Sequence, residues 1–109
     1  MEKVYNKLVR DKIPEIIASK GEIPITRTLN DTEYRIELYK KLREECEEVT
    51  KAEGTIEVLQ ELADVLEVVR AISRLENRNL ENVIALANQK NITNGGFENR
   101  VFLEKKLIK

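Results

Sequence analysis

Leu, Ile and Val recur along the chain at steps of three and four, the spacing that lines one side of an α-helix, and long alternating runs are absent. The pattern predicts four helices. Asp11 stands where it would cap a short first helix, which accepts Pro14 in its opening turn, carries Ile16 and Ile17, and stops at Gly21. Ile23 to Leu29 alternates in polarity and carries β-branched side chains, so it reads as a brief extended segment in which Pro24 is tolerated only at an edge. Asn30 with Glu33 forms a capping-box pair that opens a long second helix lasting to Gly54. Thr55 caps a third helix from Ile56 to about Glu76, and the polar break Asn77-Arg78-Asn79 precedes a fourth from Leu80 to about Lys90. Helices 2 and 3 are expected to form an antiparallel hairpin. After the turn Asn94-Gly95-Gly96, the two-residue spacing of Val101 and Leu103 suggests that residues 98–104 pair as a strand with 23–29. The expected fold is thus an all-α helical bundle of about four helices with minor β-pairing, in one domain spanning residues 1–109.

Composition narrows the chemistry. The 109 residues are 41% apolar, enough for a core, while 36% are charged and 5% aromatic. Nineteen basic residues against twenty acidic ones leave a net charge of -1, so there is no basic field to hold nucleic acid or an anionic membrane. No apolar run is long enough to span a bilayer, and Met1 leads straight into charged sequence, which points to a cytoplasmic protein. A single cysteine excludes an internal disulfide, and Cys46, at the edge of the helix 2 stripe, reads as a packing residue. With no histidine, the usual zinc sites, imidazole bases and Ser-His or Cys-His pairs are absent. Chemistry must run on carboxylates, lysines, arginines and hydroxyls.

Placing charges on helix faces, at about 100° per residue, separates ordinary solvated groups from unusual ones. The stripe of helix 2 is Tyr34, Leu38, Leu42, Val49 and Ala52, and Glu45 sits in its middle, with Glu48 at its margin beside Lys41. Tyr34 reads as core. On helix 3, Val58, Val65, Val68 and Ile72 share a face that includes Glu61, with Asp64 at its edge. Each acidic pair is spaced i, i+3, so an antiparallel hairpin brings four carboxylates together. Burying such charges unpaired costs several kcal/mol per ion, and repulsion adds to it, so protons, cationic side chains or metal ions must offset them. Oxygen-only ligands select hard cations, Mg²⁺ first and Mn²⁺ second. The competing reading takes Glu44-Glu45-Cys46-Glu47-Glu48 as a solvated face paired with lysines. Against it, both facing helices are interrupted at the same spacing and on their apolar sides.

At these residues the sequence resembles a known family. Glu44-Glu45-x-x-Glu48 followed by Glu61-x-x-Asp64 is similar to the EExxE…ExxD signature of the all-α nucleoside triphosphate pyrophosphohydrolases, the MazG-like superfamily. The opening Tyr5-Asn6-Lys7-Leu8-Val9-Arg10-Asp11-Lys12-Ile13-Pro14 and the late Gly95-Gly96-Phe97 resemble small stand-alone members of the phosphoribosyl-ATP pyrophosphohydrolase-like kind, so the resemblance spans nearly the whole chain. It implies a helical dimer, or dimer of dimers, that hydrolyses a nucleotide at the α–β phosphoanhydride to monophosphate and pyrophosphate. By position it makes Glu45, Glu48, Glu61 and Asp64 the metal ligands, Glu45 or Glu48 the catalytic base, and Glu44 a support next to the ligands. Asn94 departs from the family, in which a basic residue commonly precedes the glycine pair.

Substrate phosphates need further cations, and Lys7, Arg10 and Lys12 cluster before helix 1, with Arg100 after the glycine turn. Gly95 and Gly96 read as a plain turn rather than an anion nest. The expected activity is Mg²⁺-dependent clearance of damaged or non-standard nucleoside triphosphates, with hydrolysis of phosphoribosyl-ATP in histidine biosynthesis as the alternative. A third reading, of another class, is a non-catalytic helical oligomer whose carboxylates pair with Lys or Arg across an interface. Leu59, Leu62, Leu66 and Val69 leave helix 3 apolar beyond its Glu61 face, which favours a homo-oligomer on physical grounds as well.

Overall fold

The computed structural model describes residues 1–109 and contains four α-helices and no strand: α1 (Ile13–Ser19), α2 (Asp31–Lys51), α3 (Thr55–Leu75) and α4 (Leu80–Asn94). The all-α expectation holds. No helix is long and apolar enough to cross a membrane.

Local chemistry sets most of the boundaries. Asn30 accepts a hydrogen bond from the Glu33 N–H while the Glu33 carboxylate accepts from the Asn30 N–H, closing the capping box that starts α2. The same reciprocal arrangement joins Asn79 and Asn82 at the start of α4, where a polar break alone was expected. Asp11 does not cap α1; Lys12 occupies that place with no side-chain cap bond, because its backbone is already helical there. Helix α2 ends at Lys51 rather than Gly54, since Ala52 is extended, and Gly54, at φ +84°, precedes α3 in place of a Thr55 cap. Helix α4 continues to Asn94, past Lys90, and stops at Gly95, whose φ of +83° only glycine adopts freely.

The organising contact is α2 against α3. Arg35 near the start of α2 pairs with Glu76 after the end of α3 at 3.1 Å, which fixes the hairpin as antiparallel. Leu38 and Val68 are buried between the two helices, and Leu42, Val49, Val58, Val65 and Ile72 are half-buried around them. Helix α4 touches only α3, anchored by the buried Leu80, and every residue from Glu81 to Asn94 is exposed.

The expected strand pairing does not form. Residues 22–30 and 97–109 have no strand partner, and Ile23, Ile25, Val101 and Leu103 are exposed. Pro24 removes a donor from the first segment, and the second hangs from the far end of an α4 that has left the hairpin.

Candidate metal centre

The α2–α3 hairpin brings Glu45, Glu61 and Asp64 together, with one carboxylate oxygen from each within 4.8 Å of the others. Glu45 comes from the centre of the α2 stripe, and its side chain is only 16% exposed. Glu61 and Asp64 are half-buried on successive turns of α3. Three oxygens at this separation suit a divalent cation of the hard, oxygen-binding kind, and no softer donor stands among them.

Charge around the cluster is partly offset. The Arg10 guanidinium donates to Asp64 Oδ1 at 2.7 Å, and Lys41 Nζ lies 3.6 Å from Glu45 Oε1, one turn earlier on the same helix. Glu61 has no cationic partner among the ion pairs of the chain. Desolvation pushes its carboxyl above the usual carboxylate range, and the charges of Asp64, Glu45, Glu48 and Glu57 push in the same direction. A bound cation would reverse that pressure.

The other expected residues divide. Glu48, at the margin of the α2 stripe, is exposed and outside the close set of oxygens. Its charge still reaches Glu61. Glu44 is half-buried next to Glu45. Of the four candidate phosphate cations, Arg10 alone reaches the carboxylates. Lys7 lies over the Tyr5 ring at 5.9 Å from its centroid, Lys12 sits at the start of α1, and Arg100 occupies a turn in which its N–H donates to the Phe97 carbonyl. None of these three forms an ion pair with the cluster.

Of the two ion pairs at the site, one was legible in the sequence and the other was not. Lys41 and Glu45 carry the i, i+4 spacing that signals such a pair. Arg10 and Asp64 are 54 positions apart, and no local pattern announces them.

No family model matches the chain, and no solved structure matches it. A curated protein of Mycolicibacterium smegmatis (strain ATCC 700084 / mc(2)155), named only as an uncharacterized protein, is 49% identical over 47 residues, which are 43% of this chain and 48% of that protein. The chain matches about half the length of that relative.

Proposed function

We propose that this chain is a Mg²⁺-dependent nucleotide pyrophosphohydrolase of the MazG-like kind, hydrolysing its substrate at the α–β phosphoanhydride to a monophosphate and pyrophosphate. The observation that carries this reading is the convergence of Glu45, Glu61 and Asp64 within 4.8 Å on the packed side of two helices. Their order in the sequence, between the Tyr5–Pro14 segment and Gly95-Gly96-Phe97, supports the substrate class through the resemblance described above.

In this reading Glu45, Glu61 and Asp64 hold the ion, Mn²⁺ serving in place of Mg²⁺, and Glu44 supports them from the adjacent position. Once bound, such an ion would supply positive charge to offset that of the substrate phosphates. Glu48 projects from the next turn after Glu45 and is exposed, so its oxygens are free to orient a water and accept its proton. Arg10 has a planar donor fork suited to a phosphate oxygen once its hold on Asp64 is shared. Damaged or non-standard nucleoside triphosphates are preferred over phosphoribosyl-ATP as substrates.

A second reading has its own observation. The Arg10–Asp64 and Lys41–Glu45 pairs offset two of the three carboxylates with cations of the same chain, which suits a non-catalytic helical scaffold, though without the pairing across an interface that the sequence suggested. The discriminating experiment measures pyrophosphate release with Mg²⁺ from standard and damaged nucleoside triphosphates and from phosphoribosyl-ATP, beside Glu48→Gln and Glu61→Gln. Release by the parent and its loss in both variants is the result expected. No release from any substrate, together with no effect of Mg²⁺ on melting, assigns the carboxylates to salt bridges.

A further inference from the structure

Residues 1–22 are fastened to the rest of the chain by a single polar contact, and that contact lands on the carboxylate cluster. Arg10 donates from Nη2 to Asp64 Oδ1 at 2.7 Å. Every other hydrogen bond formed by these residues closes among themselves. The Ile13 N–H donates to the Arg10 carbonyl and Ile16 to Lys12, while Lys20, Gly21 and Glu22 turn back onto the last turn of α1. Helix α1 packs against no other helix and has no buried residue. Ahead of it only Leu8 and Val9 are half-buried. The next polar tether along the sequence, Arg27 to Glu33, belongs to the start of α2. Once Arg10 lets go, little besides Leu8 and Val9 holds the arm in place.

We propose that residues 1–22 form an arm that Arg10 latches onto the carboxylate centre, and that the latch opens when the centre takes up a divalent cation. The inference rests on the metal-binding reading of Glu45, Glu61 and Asp64 and adds a regulation of that same site. With no ion bound, Arg10 is the counter-charge of Asp64, as Lys41 is of Glu45. Asp64 cannot serve Arg10 and a divalent ion equally, since both draw on the same carboxylate and two cations against it repel each other. The contest favours the ion. Arg10 has one carboxylate partner, whereas oxygens of three carboxylates lie within 4.8 Å of one another to receive the ion. The Arg10 and Asp64 side chains are 56% and 42% exposed, so their pair is of the weak kind that solvent and salt screen. Lys41 differs, because it stands on α2 beside Glu45, and its displacement moves no segment of the chain. Filling the centre therefore loosens the arm, and by reciprocity a latched arm weakens ion binding. The freed Arg10 fork is then open to a phosphate oxygen, so ion entry precedes phosphate contact.

The test is nuclear magnetic resonance of the full-length chain, labelled with ¹⁵N and titrated with Mg²⁺ to millimolar concentration at constant ionic strength, so that screening of the ion pair stays fixed. Amide shifts of residues 44–48 and 61–64 read ion binding, and backbone order parameters of residues 3–12 read the arm. The order parameters of residues 8–12 should fall from about 0.85 to about 0.6 or below as the centre fills, with the midpoint of the amide shifts. Arg10→Gln should show the loosened arm without Mg²⁺ and no further loosening with it. Lys41→Gln removes an equal charge from the same cluster and should leave the arm ordered until Mg²⁺ is added. Arg10 is exposed and outside every helix, so its replacement leaves the hairpin free to fold. The failures are distinguishable. Mg²⁺ that shifts the carboxylate-bearing turns and leaves the arm ordered overturns the latch and spares the metal centre, and so does an Arg10→Gln arm as ordered as the parent's. No response at those turns overturns the metal reading, and the latch with it.

Discussion

At the scale of single residues, Glu61 is the group held least comfortably. It lacks a cationic partner, is partly desolvated, and sits in the field of four other carboxylates, so its ionised form is disfavoured. Replacing it with the neutral isostere removes that penalty, and the metal-free Glu61→Gln protein should melt higher than its parent. A parent that binds Mg²⁺ gains stability from excess ion by mass action, and the variant should lose that gain. Melting curves of both proteins with and without millimolar Mg²⁺ check the two statements; a variant that melts lower without metal would show that Glu61 is a favourable partner. Glu33 shows the opposite case. Its hydrogen bond to Arg27, and then the Asn30 N–H, hold its carboxyl below the ordinary 4.5. A lowered folded value contributes stability above the unfolded value, and that contribution is lost as pH falls through the folded one. The Tm difference between the parent and Glu33→Gln, whose amide can still cap, should therefore shrink from about pH 6 to about pH 3.

At the scale of elements, stability concentrates in the hairpin and in two caps. Leu38 is 3% exposed at the α2–α3 contact, so Leu38→Ala should cost about 2–5 kcal/mol in urea unfolding. Asn30→Ala and Asn79→Ala each remove a side-chain acceptor from a helix start and should cost about 1 kcal/mol. This scale also shows what the sequence made legible. The Asn30–Glu33 box was readable because its two partners are three residues apart, and Glu45 and Glu61 were readable because helical geometry turns a position number into a face. The end of α4 was misread because Gln89, Lys90 and Asn91 interrupt the apolar periodicity without stopping the helix, which Gly95 does. The strand was misread because a spacing of two in Val101 and Leu103 cannot say whether anything lies opposite. Arg10 beside Asp64 was out of reach for the same reason, since that neighbourhood exists only after the chain has folded.

At the scale of the whole molecule, few side chains are fully buried for a chain of 109 residues. Leu38, Val68 and Leu80 are the only buried apolar side chains, while α4 and both chain ends present theirs to solvent. If association supplies the missing burial, folding and assembly are one equilibrium, and stability must depend on protein concentration. The Tm of the parent should then rise by several degrees between about 1 and 100 μM subunit, because dilution favours unfolded monomer by mass action. The same series on Leu62→Glu with Leu66→Glu should be flat and lie lower throughout. A concentration-independent Tm for the parent would require a monomer that folds on the hairpin alone, in which case Leu59, Leu62 and Leu66 would be a solvent-exposed apolar seam with no energetic role.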